Sequence, residues 1–312
     1  MKSAWTIIGE GASSIFSSAS NPLPPAELDL EATLGCGQAF RWKQDACADE
    51  GRVRWTGIIS GRVVSLWQDD ATLYCTMHGE SFDAALLDRY LDLGLDLAAV
   101  RREISIDPHI VAAMASYPGL RVLQQDPWEC LISFILSQLS NVGRISKSVE
   151  ALSERFGTEI IPGYFAFPTP DALARGSVEA FRAMGLGYRA EYVYRAARKC
   201  AEGGTEWLNG LAQMEYRAAR DHIVLPLNDK RVTEKLHGVG PKVADCVLLF
   251  SLGHYEAFPV DVHVRRAMER WYGQEQTFGK SYDSVADFGR SHFGRYAGYA
   301  QQYLFHRQRT GE

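Results

Sequence analysis

The sequence has few cysteines, and none of them follow the spacing of a metal site or a disulfide scaffold. Six cysteines are spread over 312 residues, and no two are separated by two residues. Small disulfide-rich folds, zinc ribbons and clusters held by four cysteines are therefore excluded. The eight histidines form no HxxxH or HExxH pair. We therefore predict that the protein uses no metal and no other cofactor.

Long apolar runs are also absent from this chain. No stretch approaches the ~20 apolar residues that cross a bilayer. The N-terminal stretch is too short and polar for the core of a signal peptide. We therefore expect no membrane partner and an intracellular location, in the cytoplasm and nucleoid, or in the nucleus of a eukaryote. The scattered cysteines agree with a reducing compartment.

Charge is unevenly distributed along the chain. The net charge is −5, which by itself argues against nucleic acid as a partner. Residues 1–100 hold 7 basic and 14 acidic residues, whereas residues 101–312 hold 26 and 24. Residues 290–311 contain four arginines and no acid. A basic face on the second part is therefore compatible with the acidic total.

The hydrophobic pattern changes near residue 105, and we predict two domains, 1–105 and 106–312. In the first, residues 53–59 and 62–67 flank a Ser-Gly turn, and 73–77 continue as a third strand. One helix is expected at about 82–91. This part is predicted to be an α+β domain with an antiparallel sheet.

The second part is predicted to be all-α, with no strand after residue 105. Residues 129–139 are apolar nearly all round, which indicates a central buried helix preceded by an Asp-Pro start at 126–127. Further helices are expected at 145–156, after Thr169, after Ser177 and at 190–199.

The most informative segment is residues 236–246, which read LHGVGPKVADC. A helix, Gly-Val-Gly and a second helix opened by Pro241 are predicted. Such a hairpin presents backbone N–H groups at a helix N-terminus, a geometry that binds phosphate, although a simple helix–helix turn has the same pattern.

Lys242 and Asp261 are the candidate catalytic pair. Lys242 falls in the first turn of that second helix, where the helix dipole disfavours a cation. Asp261, in the run FPVDVH, can return to the Lys242 end and cap the next helix. A fixed carboxylate beside a lysine provides a nucleophile and an anion that stabilises a cationic sugar. A surface lysine and a plain helix cap are the structural alternatives.

These two runs together resemble the helix-hairpin-helix, Gly/Pro-rich, aspartate superfamily of DNA glycosylases. Three more runs resemble its 8-oxoguanine DNA glycosylase family: GCGQAFRW at 35–42, MGLGYRA at 184–190 and YAGYAQ at 296–301. The similarity extends from about Leu28 to Phe305. It implies the fold of an all-α helix-hairpin-helix glycosylase domain behind the sheet domain.

The resemblance also implies residue roles. Lys242 corresponds to the nucleophile and Asp261 to the catalytic carboxylate. Base-recognition residues are Gly37, whose carbonyl accepts N7–H of the oxidised base, Gln301 at its Watson–Crick edge, and Cys246 and Phe305 on its two faces. The DNA contacts are the wedge Tyr188, the cytosine readers Arg144 and Arg189, and the phosphate contacts Gly238, Gly240, Val243 and His263.

Two features depart from the family pattern. Leu139 stands where the family has an asparagine that fills the gap near the flipped base and can bond the orphaned cytosine. The segment 222–235 is longer than the family's usual approach to the hairpin.

The function implied is a monomeric, bifunctional DNA glycosylase and β-lyase acting on double-stranded DNA that contains 8-oxoguanine. A glycosylase for another damaged purine is one alternative, although the relatives that remove alkylated purines lack the lysine. Relatives for oxidised pyrimidines or mismatched adenine usually carry a four-cysteine cluster near the C-terminus, and no cysteine follows Cys246. A non-catalytic helix-hairpin-helix DNA-binding protein is the alternative from another class.

Overall fold

A single antiparallel sheet dominates the first part of the molecule. The computed structural model describes residues 4–10, 15–21, 23–45, 53–79, 81–224, 236–274 and 276–311. Six strands pair in the order β1-β2-β6-β5-β4-β3, with every neighbouring pair antiparallel. Their bounds are β1 Ala4–Glu10, β2 Ile15–Asn21, β3 Lys43–Asp45, β4 Arg54–Ile59, β5 Arg62–Gln68 and β6 Leu73–His78.

Helices make up most of the rest of the described chain. Their bounds are α1 Leu30–Gly35, α2 Ala84–Tyr90, α3 Leu97–Ile104, α4 Pro108–Ser116, α5 Pro127–Leu136, α6 Val142–Phe156, α7 Pro170–Ala174, α8 Val178–Ala183, α9 Arg189–Gly203, α10 Glu206–Gly210, α11 Tyr216–Ile223, α12 Pro241–Leu252, α13 Val262–Tyr272, α14 Tyr282–Phe293 and α15 Ala297–Thr310. None of them is both long and apolar enough to cross a membrane, in the part of the chain that the structure describes.

The predicted strand–turn–strand unit is confirmed. Strands β4, β5 and β6 match the three predicted segments, and β4 and β5 meet at Ser60 and Gly61, whose φ angles are +46° and +76°. Two positive φ values in a row give the turn twist that suits a tight hairpin. The expectation of one helix is wrong, because α1 and α3 also form in this part, each capped by an aspartate.

The second part is helical, as predicted, with one exception. The expectation of no strand after residue 105 is wrong, because β7 Glu159–Ile161 pairs with β8 Tyr164–Phe165. This hairpin is too short to show a two-residue periodicity, and its turn uses Gly163 at φ +82°. The fold class, a sheet domain followed by a helix-hairpin-helix domain, is confirmed.

The central helix α5 is buried along nearly all of its length, from Trp128 to Leu136 with one break at Glu129. Asp126 accepts a hydrogen bond from the Glu129 amide at 2.9 Å, and Pro127 occupies the first helical position, as the sequence predicts. The helix ends at Leu136, three residues earlier than expected. Ser137 begins a turn there, and Leu139 adopts a left-handed φ of +49°.

The segment between α4 and α5 connects the sheet domain to the helical domain. Arg121 is fully buried, and its guanidinium donates to the carbonyls of Glu27 at 2.6 Å and Leu95 at 3.2 Å. The amide side chain of Gln38 donates to the Arg121 carbonyl at 2.8 Å and accepts from the Leu123 amide at 2.9 Å. These bonds fix the Gly37 region against the helical domain. The boundary at residue 105 stays a prediction.

Candidate active site

The hairpin before α12 has the geometry that the Gly-Val-Gly run predicts. Gly238 has φ +84°, and a Cβ there would lie 2.2 Å from the ring of Tyr192. Gly240 caps α12 without a side-chain bond, and Pro241 opens the helix. The free amides of this first turn favour an anion. The helix predicted before the hairpin and most of the 222–235 segment lie outside the described residues.

Lys242 lies in the first turn of α12, and its side chain contacts groups from α5 and from the turn that follows α5. Its Nζ donates a 2.9 Å hydrogen bond to Oγ of Ser137, which in turn donates to the Phe134 carbonyl at 2.8 Å. The same Nζ lies 5.1 Å from the centre of the Phe134 ring, within cation–π range. The amine is therefore fixed in place rather than extended into solvent.

Asp261 caps α13, as the sequence predicts. Its Oδ1 accepts from the amides of His263 at 2.9 Å and Val264 at 2.8 Å. Hydrogen bonds from backbone amides and the helix dipole both favour a negative carboxylate at this position. Capping α13 is not the only position that Asp261 occupies in the fold, because it also lines the cavity that contains Lys242.

One cavity of about 640 Å³ brings the catalytic pair and the base-recognition candidates together. Its volume is in the range of small-ligand sites. The predicted residues that line it are Gly37, Lys242, Cys246, Asp261, His263, Gln301 and Phe305. They come from four separate segments of the chain, and no local pattern could have shown that they meet.

Gly37 sits at one wall of the cavity in a conformation that favours glycine. Its φ is +89°, and a Cβ would lie 3.1 Å from a guanidinium nitrogen of Arg309. That guanidinium also donates to the carbonyl of Gly35 and lies 5.8 Å from the Phe305 ring centre. The neighbouring residue, Gln38, is also fixed in position, because its side-chain amide donates to the Thr33 carbonyl at 2.9 Å.

Gln301 offers an unused acceptor to the cavity. Its side chain is 4% exposed, and its Oε1 has no hydrogen-bond partner within the described residues. A buried acceptor without a partner costs about 1–3 kcal/mol, so a ligand N–H is the expected partner. Cys246 and Phe305 complete the lining, and burial raises the pKa of the Cys246 thiol to about 12, although the neighbouring Lys242 ammonium lowers it. A neutral thiol suits an apolar contact.

The wedge candidate lies outside the cavity, next to the turn after α5. Tyr188 is 47% exposed, and its hydroxyl donates to the Gln138 carbonyl at 3.2 Å. Arg189 is buried, and its Nη1 donates to the carbonyls of Leu136 at 2.8 Å and Gln138 at 3.4 Å. Its guanidinium supports the turn that carries Leu139. The role of Arg189 as a cytosine reader stays a prediction.

The other DNA-contact candidates surround the same turn. Arg144 is exposed in the first turn of α6. The Gly238 carbonyl accepts from the Gln138 side chain at 3.1 Å, which ties the hairpin to the turn. Gly240 is half-buried. The Val243 side chain is buried, so a phosphate could contact this residue only at its backbone N–H.

Known proteins match this chain over its full described fold. Residues 21–131 match the model for the N-terminal domain of 8-oxoguanine DNA glycosylase. Residues 132–288 match the HhH-GPD superfamily of base excision DNA repair proteins. An N-glycosylase/DNA lyase of Arabidopsis thaliana is 37% identical, with 91% of this chain and 78% of the relative covered.

The chain belongs to the 8-oxoguanine DNA glycosylase family. A probable N-glycosylase/DNA lyase of Methanothermobacter thermautotrophicus is 34% identical over 93% of this chain and 96% of that relative. The structure of a Clostridium acetobutylicum 8-oxoguanine glycosylase/lyase, in complex with double-stranded DNA containing cytosine opposite 8-oxoguanine, superposes with a TM-score of 0.83 at 30% identity. It covers 100% of this chain and 99% of that one.

Sequence reasoning missed three residues at the site of this glycosylase. Ser137 contacts the lysine, Gln138 joins the turn to the hairpin, and Arg309 packs against Gly37. Ser137 is the first polar residue at the end of an apolar helix, which is a weak signal that could have found it. Arg309 lies beyond the last motif, and the basic stretch 290–311 that contains it suggests a charged face but not a contact with Gly37.

Proposed function

We propose that this protein is a bifunctional DNA glycosylase that flips 8-oxoguanine out of duplex DNA, excises it and nicks the strand. The observation that supports the proposal is the shared cavity, whose lining includes Lys242, Asp261 and Gln301, and the Oε1 of Gln301 has no hydrogen-bond partner among the described residues. The target atom is inaccessible inside a base stack, so the nucleotide must leave it. Because the substrate is DNA, we expect the protein to act inside the cell.

Recognition of the base follows from the cavity walls. Guanine N7 is an acceptor, whereas in 8-oxoguanine N7 carries a hydrogen. We propose that the Gly37 carbonyl accepts this hydrogen and that Gln301 accepts from the Watson–Crick edge. One such bond is worth about 1–3 kcal/mol of discrimination against guanine, so other steps must add to it. Cys246 and Phe305 would contact the two faces of the ring.

The chemistry requires the amine and the carboxylate in different roles. Lys242 attacks C1′ of the flipped nucleotide as the bond from C1′ to the base breaks. Asp261 stabilises the positive charge that develops on the sugar. The C1′–O4′ bond then breaks and O4′ takes up a proton, which leaves a Schiff base between C1′ and Nζ. Loss of a C2′ proton then expels the 3′-phosphate by β-elimination, which cleaves the strand. None of these steps requires a metal, and the described residues contain no group of three or more His, Cys, Asp or Glu suited to hold one.

Borohydride reduction of the Schiff base tests the proposal. Wild-type protein should become covalently linked to a duplex that contains 8-oxoguanine opposite cytosine. Lys242→Gln should abolish both the cross-link and strand nicking while duplex binding persists. Lys280→Gln, which changes an exposed lysine outside the cavity, is the matched control and should be trapped like wild type. A cross-link that survives in Lys242→Gln and maps to another residue would overturn the assignment.

A further inference from the structure

A buried carboxylate lies on α12, about one helical turn after Lys242, and has no place in the mechanism above. Asp245 follows Lys242 by three residues and is completely buried. Its Oδ1 accepts from the hydroxyl of Tyr216 at 2.6 Å, and its Oδ2 accepts from the hydroxyl of Tyr282 at 2.5 Å. A buried carboxylate is expensive unless it is both paired and hydrogen-bonded, so such a cluster needs an explanation.

Two arginines supply the opposite charge. Nε of Arg220 lies 3.3 Å from Oδ1, and Nη1 of Arg290 lies 3.6 Å from Oδ2. Arg220 belongs to α11, and Arg290 belongs to α14. The carboxylate therefore joins α12, which carries Lys242, to two neighbouring helices. Structural anchoring alone would account for these ion pairs.

Tyr282 makes one contact that anchoring of helices does not require. Its hydroxyl oxygen accepts a 3.3 Å hydrogen bond from the amide of Val260, the residue immediately before Asp261. The same hydroxyl donates its proton to Asp245. A single hydroxyl group thus connects the backbone beside one catalytic residue to the helix that carries the other.

The segment that leads into Asp261 is held by packing, since Ala257 and Phe258 are fully buried, and by the Tyr282 bridge at its last residue, Val260. Residues 253–260 contain neither helix nor strand, and they determine where α13 begins. The bonds from Asp261 to His263 and Val264 fix the carboxylate on α13, but they do not fix α13 relative to α12. The Tyr282 bridge adds a hydrogen-bonded link to α12 at the residue next to the carboxylate.

We propose that Tyr282 and Asp245 are positioning residues for excision, which hold Asp261 in register with Lys242 through the amide of Val260. This inference rests on the proposed function, because it assigns Asp261 the stabilisation of the cationic sugar. An anion stabilises a developing positive charge effectively only where it is already held in the right place. A displacement of a catalytic group by about 1 Å can lower a reaction rate ~100-fold.

The chain offers a matched pair of variants for the test. Tyr282→Phe and Tyr216→Phe each remove one hydroxyl from the same carboxylate, but only the first also breaks the bond to Val260. Two rates are measured for each variant at saturating protein. One is single-turnover excision of 8-oxoguanine, and the other is borohydride trapping on a duplex with a preformed abasic site. Trapping needs Lys242 but does not include the step in which the base departs.

The expected result is a change in the ratio of the two rates. Tyr282→Phe should lower excision about tenfold or more and lower abasic-site trapping no more than about threefold. Tyr216→Phe should lower both by the same factor. A partly unfolded sample loses both activities in proportion, so the ratio is insensitive to stability. Equal ratios in the two variants would overturn the positioning role, provided that wild type is trapped on both duplexes. If wild type is trapped on neither duplex, the proposed function itself fails, and this inference fails with it.

Discussion

The hydroxyl of Tyr188 donates to the carbonyl of Gln138, so the aromatic ring stands beside the turn that exposes Leu139. Leu139 is 89% exposed and Tyr188 is 47% exposed. Leu139 also lines the cavity, and large apolar side chains that are exposed side by side indicate a binding surface. We infer that both side chains enter the duplex and occupy the space that the flipped nucleotide leaves.

Leu139→Asn should sharpen the choice of the base opposite the lesion. Leucine can only pack against an orphaned cytosine, whereas asparagine can hydrogen-bond it. One such bond contributes about 0.5–1.5 kcal/mol, so the ratio of excision opposite cytosine to excision opposite adenine should rise up to about tenfold. Single-turnover rates on the two duplexes measure this ratio. An unchanged ratio would show that position 139 does not read the opposite base.

The same position also allows a prediction about stability. Leu139 has φ +49°, a left-handed conformation that costs about 1–2 kcal/mol for a residue with a Cβ and that asparagine tolerates better. Leu139→Asn should therefore raise the free energy of unfolding by about 0.5–1 kcal/mol, as measured by urea denaturation. Leu139→Ala keeps the strained backbone and is the control. An asparagine variant less stable than the alanine variant would contradict the strain argument.

Local signals predicted the features of this fold that depend on a few adjacent residues. The caps by Asp126 and Asp261 and the Gly-Val-Gly hairpin are of this kind, because a short side chain or a glycine determines the backbone there. The early end of α5 was not predictable, because leucine gives no signal for a left-handed turn. The contact from Lys242 to Ser137 spans 105 residues, and only tertiary packing creates it.

Two substitutions at Asp261 should separate its structural role from its catalytic role. Asp261→Ala removes the acceptor of two amide bonds and should lower the free energy of unfolding by about 0.5–2 kcal/mol. Asp261→Asn can still cap the helix but carries no charge, so stability should stay near that of wild type while excision falls sharply. Denaturation and excision are measured on both variants. Near-wild-type excision by the asparagine variant would make the carboxylate a cap only.

Glu129 should make stability fall as the pH rises through neutrality. Burial raises the pKa of its carboxyl to about 7, although Arg41, with Nη1 3.7 Å from Oε2, lowers it in part. The ordinary glutamate pKa is about 4.3, so between these values the folded protein binds a proton that the unfolded chain has released. The resulting stabilisation amounts to up to about 3 kcal/mol and is complete below the pKa of the unfolded chain. It is lost as the pH rises to about 7 and above.

Glu129→Gln removes this titration, so the variant should gain stability relative to wild type between pH 4.5 and pH 8. Its free energy of unfolding minus that of wild type should rise by up to about 3 kcal/mol over this range, whatever its value at the acid end. Urea denaturation at several pH values measures the difference. Glu154→Gln, which changes an exposed glutamate on α6, is the matched control and should give a flat difference within about 0.5 kcal/mol. A flat difference for Glu129→Gln as well would mean that Arg41 keeps this partly buried carboxylate ionised throughout, and that desolvation does not control its pKa.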